Sequence, residues 1–116
     1  YKFFFIFTVL NASLTPKILS PTYVNFSKSN GAITANAYHV NINIRIAPTA
    51  NITAGTSKVA ITGLPAPKGS PYFNIHLAGG SAQFAYFDTS GQLVVYAYSQ
   101  VNTNQVLQLS GSYDIA

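Results

Sequence analysis

Asn36-Ala37-Tyr38-His39-Val40-Asn41-Ile42-Asn43-Ile44-Arg45-Ile46 is the stretch that decides the fold. Val40, Ile42, Ile44 and Ile46 share one parity, and Tyr38 extends that apolar side by one position. His39, Asn41, Asn43 and Arg45 share the other. A period of two is the pattern of an extended strand with one dry face and one wet face. At helical spacing the same isoleucines would be scattered round a cylinder, and their branched side chains suit a pleated surface better. A strand this long needs neighbours, so the shorter patterned segments before and after it are expected to pair with it or pack across from it.

Upstream, Lys28-Ser29-Asn30-Gly31 reads as the preceding turn, because Asn-Gly is a strong type I′ hairpin signal. Residues 22–26 supply a brief strand. Pro16 and Pro21 make residues 11–20 a loop or a short edge strand rather than a helix. Residues 3–10 have strand composition without alternation, as in a strand covered on both faces. Lys2, this apolar run and the small residues after it also resemble a secretion signal. The covered strand is the preferred reading, and the run is well short of the roughly 20 residues that span a bilayer. The opening without Met suggests a piece of a longer, fibre-like chain.

Downstream, Pro48 ends the long strand or demotes it to an edge. Residues 58–62 resume alternation with Val59 and Ile61 inward, and residues 63–71 form an ordered loop stiffened by Pro65, Pro67 and Pro71. Phe73, Ile75 and Leu77 then alternate with Tyr72, Asn74 and His76, and Gly79-Gly80 turns the chain. Phe84 and Tyr86 oppose Ala85 and Phe87, Asp88-Thr89-Ser90-Gly91 makes a hairpin connection, and Leu93, Val95 and Ala97 oppose Val94, Tyr96 and Tyr98. In the last strand Leu107, Leu109 and Tyr113 oppose Val106, Gln108 and Ser110, with Gly111 a candidate bulge. The expected fold is all-β, an antiparallel jelly roll or β-sandwich/barrel of about eight strands in one domain, residues 1–116. The long middle strand and unequal loops favour crossing connections over even hairpins.

Six Lys and Arg against two Asp and Glu give a net charge of +4, and charged residues are only 7% of the 116. Soluble domains typically carry about 25%, so this surface is built from Asn, Ser, Thr, Gln, Tyr and Gly, or is covered by other subunits. Lys2, Lys17, Lys28, Arg45, Lys58 and Lys68 form no run, which argues against nucleic acid as a partner. The chain has no cysteine, hence no disulfide or thiolate metal site.

Catalytic candidates are few. Asp88 and Asp114 are the only carboxylates, and Asp88 starts a turn where its side chain is expected to cap backbone amides. Nothing in their spacing pairs them for hydrolysis. His39 and His76 lie on polar strand parities, where a shared metal would lack further ligands. No phosphate-cradling glycine loop or nucleophile elbow occurs. The expectation is therefore no enzyme, no metal and no cofactor. Asn11, Asn25 and Asn51 open N-glycosylation acceptor triplets, a pattern common by chance in so polar a chain.

Eight Tyr and eight Phe with no Trp form the most informative excess. Tyr72, Tyr96 and Tyr98 fall on parities opposite Phe73 and Val95, where a ring covers area while its hydroxyl keeps a partner. With His76 and Asp88 they make a candidate ligand-binding set suited to a neutral sugar, which offers apolar ring faces and many hydroxyls. The bland alternative is that these tyrosines seal a homo-oligomer. Ala60, Ala78, Ala85 and Val94 are read on wet faces where they could pack against a neighbour.

Residues 58–65 (KVAITGLP), residues 82–93 and residues 107–113 (LQLSGSY) resemble the distal domains of tailed-phage receptor-binding proteins and tail fibres. In those domains a strand enters a GLP turn, a later strand turns through glycine, and an SGSY segment closes the domain. The resemblance spans roughly residues 57–115. It implies a trimeric β head at the virion tail tip, outside the cell, that binds bacterial surface saccharides or teichoic-type polymers without chemistry or membrane insertion. The alternative function is a structural or oligomerisation module of a capsid, fibre or secreted trimeric assembly.

Overall fold

A computed structural model describes residues 14–79 and 82–116. The strand read at residues 3–10 and the acceptor triplet at Asn11 lie outside the described residues. Among the described residues nine strands form one all-antiparallel sheet: β1 (Lys17–Ile18), β2 (Thr22–Tyr23), β3 (Phe26–Ala35), β4 (His39–Pro48), β5 (Thr56–Thr62), β6 (Tyr72–Ala78), β7 (Ala82–Phe87), β8 (Leu93–Ala97) and β9 (Leu107–Asp114). Their spatial order is β1-β3-β4-β9-β6-β7-β8-β5-β2. The sheet curls into an open half-barrel, an architecture consistent with a sandwich or barrel-like fold.

Two features curl it. β2 lies at one end of the order and β3 is the second strand at the other, yet only Val24 and Asn25 separate them in the chain. The Val24 amide donates to the Ala60 carbonyl at 2.9 Å, and the Asn25 side-chain amide donates to the Val59 carbonyl at 3.0 Å, so this short link ties the far edge back. Asn25 takes φ 61° to make the corner, a conformation Asn tolerates better than most residues. The second feature is β6, which pairs with β7 through Tyr72 and Ile75 and with β9 through His76–Ala78.

β4 is an interior strand of the sheet, with the dry and wet faces its alternation predicts. Val40, Ile42, Ile44 and Ile46 are each at most 2% exposed and lie in a core completed by Ile33, Ile61, Ile75, Phe87, Leu93, Val95, Leu107, Leu109 and Tyr113. Each such side chain contributes roughly 1.5–3 kcal/mol by burial. Asn41, Asn43 and Arg45 face outward. Tyr38 does not extend the dry face: it is 56% exposed, because the chain is already turning there. The Asn36 carboxamide oxygen accepts from the Tyr38 and His39 amides, both at 2.8 Å, and makes the β3–β4 connection.

Asn30-Gly31 is consequently not the hairpin. It lies within β3, where the register with β4 shifts between Lys28 and Asn30. Gly31 has φ 87°, and a Cβ there would run into the Asn43 carbonyl and the Ile44 Cα. The glycine serves a bulge and a close backbone approach instead of a turn, the second use of a positive φ in a sheet. Pro48 stays inside β4, opposite Phe26. Gly111 holds regular register opposite Ile42 and is not a bulge.

Two further register shifts reverse parities read from sequence. Between Val59 and Ile61 the β5 register against β8 slips by one, so Ala60 and Ile61 are both fully buried while Val59 lies beside Val94 and is half-buried. Between Tyr72 and Ile75 the β6 register against β7 slips likewise, turning Tyr72 and Ile75 inward and Phe73 outward. A one-residue slip moves side chains to the opposite face. Ala60 and Ala85 are thus core residues rather than surface for a neighbour, and Val94 is only 5% exposed. Ala78 remains exposed.

The proline loop is ordered by packing on the end of β9. The Tyr113 hydroxyl donates to the Pro65 carbonyl at 2.8 Å, the Lys68 amide to the Asp114 carbonyl at 2.8 Å, and the Ala116 amide to the Ala66 carbonyl at 3.0 Å. Leu64 and Pro67 are buried beneath it.

Candidate binding surface

A sheet face turned to water is ordinarily polar. On the convex side of β6, β7 and β8 this one carries a continuous row of rings. Phe73 stacks on Tyr86 with centroids 5.3 Å apart, Tyr86 meets Phe84 at 5.7 Å, and Phe84 stacks on Tyr96 at 5.1 Å and 12°. Tyr98 closes the row edge-on to Tyr96 at 4.9 Å. Alternation puts Phe84, Tyr86 and Tyr96 on this face, opposite buried Ala85, Phe87, Leu93 and Val95, and the slip in β6 adds Phe73. Phe73 is 58% and Tyr98 61% exposed. Each ring pair adds about 0.5–1.5 kcal/mol beyond area burial, so the row is held as a rigid platform.

The five residues of the sequence-derived set are divided by the fold. Tyr96 and Tyr98 are together in the row. His76 is exposed on the same face, on β6 opposite Ser110 of β9. Tyr72 is elsewhere: its ring packs with Tyr113 at 5.9 Å, and its hydroxyl donates to the Ser112 carbonyl at 2.8 Å. Asp88 caps its turn, with one carboxylate oxygen accepting from the Ser90 amide and hydroxyl, both at 2.9 Å, and from the Gln92 amide at 3.0 Å. Desolvation pushes the Asp88 carboxyl up, but the hydrogen bonds from Gln92, Ser90 and Gly91 outweigh it and hold the carboxyl below its ordinary range. Phe73, Phe84 and Tyr86 were missed as site residues. The alternation of β7 carried the signal for the last two, whereas Phe73 is readable only from its partner strand.

No family model, curated protein or solved structure matches the chain.

The rest of the face is polar and chemically quiet. His39 meets Asp114 at 2.8 Å across β4 and β9, an exposed pair of the kind worth little. His39 lies opposite Asp114 and His76 opposite Ser110 on the two sides of β9, so four positions along it and two strand spacings across it separate the histidines, about 16 Å at sheet spacings. Among the described residues no three His, Cys, Asp or Glu gather to hold a metal ion. Also among them, no helix is long and apolar enough to cross a membrane. Asn25 and Asn51 both spend their side chains on the fold, Asn51 accepting from the Thr103 amide at 2.7 Å and hydroxyl at 2.9 Å.

Proposed function

We propose that the chain is a non-catalytic saccharide-recognition head, with the convex aromatic row as its platform. The row itself carries this reading. Sugar rings present C–H faces that pack on aromatic faces, while the Tyr96 and Tyr98 hydroxyls and His76 offer hydrogen bonds to the hydroxyl rim. The two carboxylates are placed for other work than hydrolysis: one caps a turn and the other pairs with a histidine. In keeping with the sequence resemblance, we assign the curled sheet to a jelly-roll head, trimeric, at a phage tail tip, with bacterial surface saccharide as its partner.

A second reading has a specific observation in its favour. Phe73 exposes more than half of a ring that has no polar tip, and large exposed apolar patches also mark subunit contacts. In that case the row is sealed between copies of a structural module. A glycan array read beside sedimentation mass separates the two. The saccharide head is expected to bind as a trimer, and Tyr98→Ala is expected to weaken binding about three- to ten-fold while the loss of its ring contacts with Tyr96 and Phe84 lowers Tm by only a few degrees, about 0.5–1.5 kcal/mol per ring pair. An array without a single saccharide bound, together with dissociation of the assembly by Phe73→Lys, would favour the structural module and sink the saccharide reading.

A further inference from the structure

The same convex face holds a second feature, built on β3, β4 and β9. A polar cleft of about 240 Å³ is lined by Asn30, Gly31, Asn43, Ile44, Arg45 and Gln108. Cross-strand register produces it: Asn30 lies opposite Arg45, and Arg45 opposite Gln108. Gly31 shapes its floor, since the missing Cβ lets β3 approach the β4 backbone there. The volume is below the roughly 300–1,000 Å³ of pockets that enclose a whole small ligand. It suits one functional group of something larger.

Of the polar side chains lining the cleft, only Asn30 has a short bond, its carboxamide oxygen accepting from the Gly31 amide at 2.6 Å. Among the described residues no carboxylate pairs with Arg45, the one recorded ion pair being His39 with Asp114. Asp114 lies six positions along β9 from Gln108, about 20 Å at strand spacing. Lys28 supplies a second cation nearby, its Nζ donating to the Gly31 carbonyl at 3.0 Å. Gln108 reaches the Asn43 carboxamide oxygen only at 3.5 Å, a distance at the limit of a hydrogen bond. One guanidinium and three carboxamides therefore line the concavity, with no acidic side chain among them and the Lys28 ammonium held on the Gly31 carbonyl.

We infer that this cleft takes the carboxylate of an acidic saccharide, a uronate-type unit, from a chain whose neighbouring rings lie on the aromatic row; the inference rests on the saccharide reading of that row. The guanidinium fork matches a planar carboxylate with two parallel hydrogen bonds. The carboxamides both donate and accept, which suits the hydroxyls flanking a sugar carboxylate better than a densely charged phosphate. β9 and β6 lie between Arg45 on β4 and Phe84 on β7, three strand spacings or about 14 Å across the curled sheet, and Arg45 is level through Gln108 with Ala78 of β6, two residues or about 7 Å beyond His76; an oligosaccharide joining the two follows the convex surface over His76.

Titration calorimetry of the intact chain with a galacturonate oligomer, its neutral galactose counterpart and inorganic phosphate tests this. The acidic oligomer is expected to bind about ten-fold or more tightly than the neutral one, as loss of a charged hydrogen bond implies, and to weaken as salt rises. Arg45→Gln should erase that preference and leave neutral binding intact; Gln108→Ala should reduce it in part. Both positions lie on the outer face, so circular dichroism is expected to be unchanged. Equal binding of both sugars in wild type, no effect of Arg45→Gln, or displacement by phosphate at equal concentration overturns the inference while the aromatic platform stands. Binding of neither oligomer counts against the platform as well.

Discussion

Replacing Tyr113 by Phe removes one oxygen atom from the core and leaves the ring. Tyr113 is 2% exposed, and its ring lies 4.8 Å from that of Phe87. Its hydroxyl donates to the Pro65 carbonyl at 2.8 Å, so the loss of that bond near neutral pH costs about 1 kcal/mol. For a chain of 116 residues this lowers Tm by about 4 °C. The hydroxyl also carries a pH dependence. Burial pushes its pKa well above the ordinary value of 10.0. The unfolded chain releases this proton from about pH 10 upward while the folded chain retains it. Unfolding then leaves fewer protons bound, and stability falls as pH rises from the unfolded pKa toward the folded one. At about 1.4 kcal/mol per pH unit, wild type loses about 2 kcal/mol between pH 10 and 11.5 from this group, whereas Tyr113→Phe loses none from it. Tyr23, also raised by burial, is present in both proteins and cancels in the difference. Urea unfolding across this range should show wild type more stable at pH 8 and the variant equal or better at pH 11.5. Parallel curves would refute the assignment of a protonated, hydrogen-bonded Tyr113 hydroxyl in the core.

Two further substitutions test the backbone reading. Gly31→Ala places a Cβ against the Asn43 carbonyl at φ 87°, so urea unfolding should show a loss of about 2 kcal/mol or more, beyond the usual range of surface substitutions. Asp88→Ala removes three hydrogen bonds from the β7–β8 turn. Because the folded carboxyl sits below its ordinary range, the stability it contributes is present above the unfolded pKa and fades as pH falls through the folded one; the difference between wild type and variant should shrink on titration from pH 6 to pH 2. Solvent beside this turn keeps that change small.

The strand pattern was legible wherever local sequence alone decides which way a side chain points. Val40 to Ile46 face as their alternation requires, since period two is a property of the extended chain itself; in Phe84 to Phe87 and Leu93 to Ala97 the alternation holds, but Ala85 and Val94, read on wet faces, are buried. Illegible were the register slips at Ser29, Ala60 and Phe73-Asn74, because a bulge is an agreement between two strands and only one of them is local. Those slips moved Tyr72 out of the binding surface and Phe73 into it. Asn30-Gly31 misled for a related reason: positive φ serves a hairpin and a bulge equally well, and the Asn36 carboxamide made the turn six residues later. The cleft at Arg45 was hidden because it depends on the bulge that sets β3 against β4 and on Gln108 of β9, about sixty residues further along the chain.

The position of β9 bears on how the molecule comes into being. β9 lies between β4 and β6 in space yet follows both in the chain, and among the described residues no other strand joins the β1-β3-β4 group to β6 through the sheet. During vectorial synthesis the strands through β8 emerge with β4 and β6 each presenting an unfilled edge of backbone amides and carbonyls. Such edges are templates for pairing with another nascent chain. On polysomes, where copies of this chain would sit side by side, the interval before β9 arrives is the period in which strand exchange competes with correct folding.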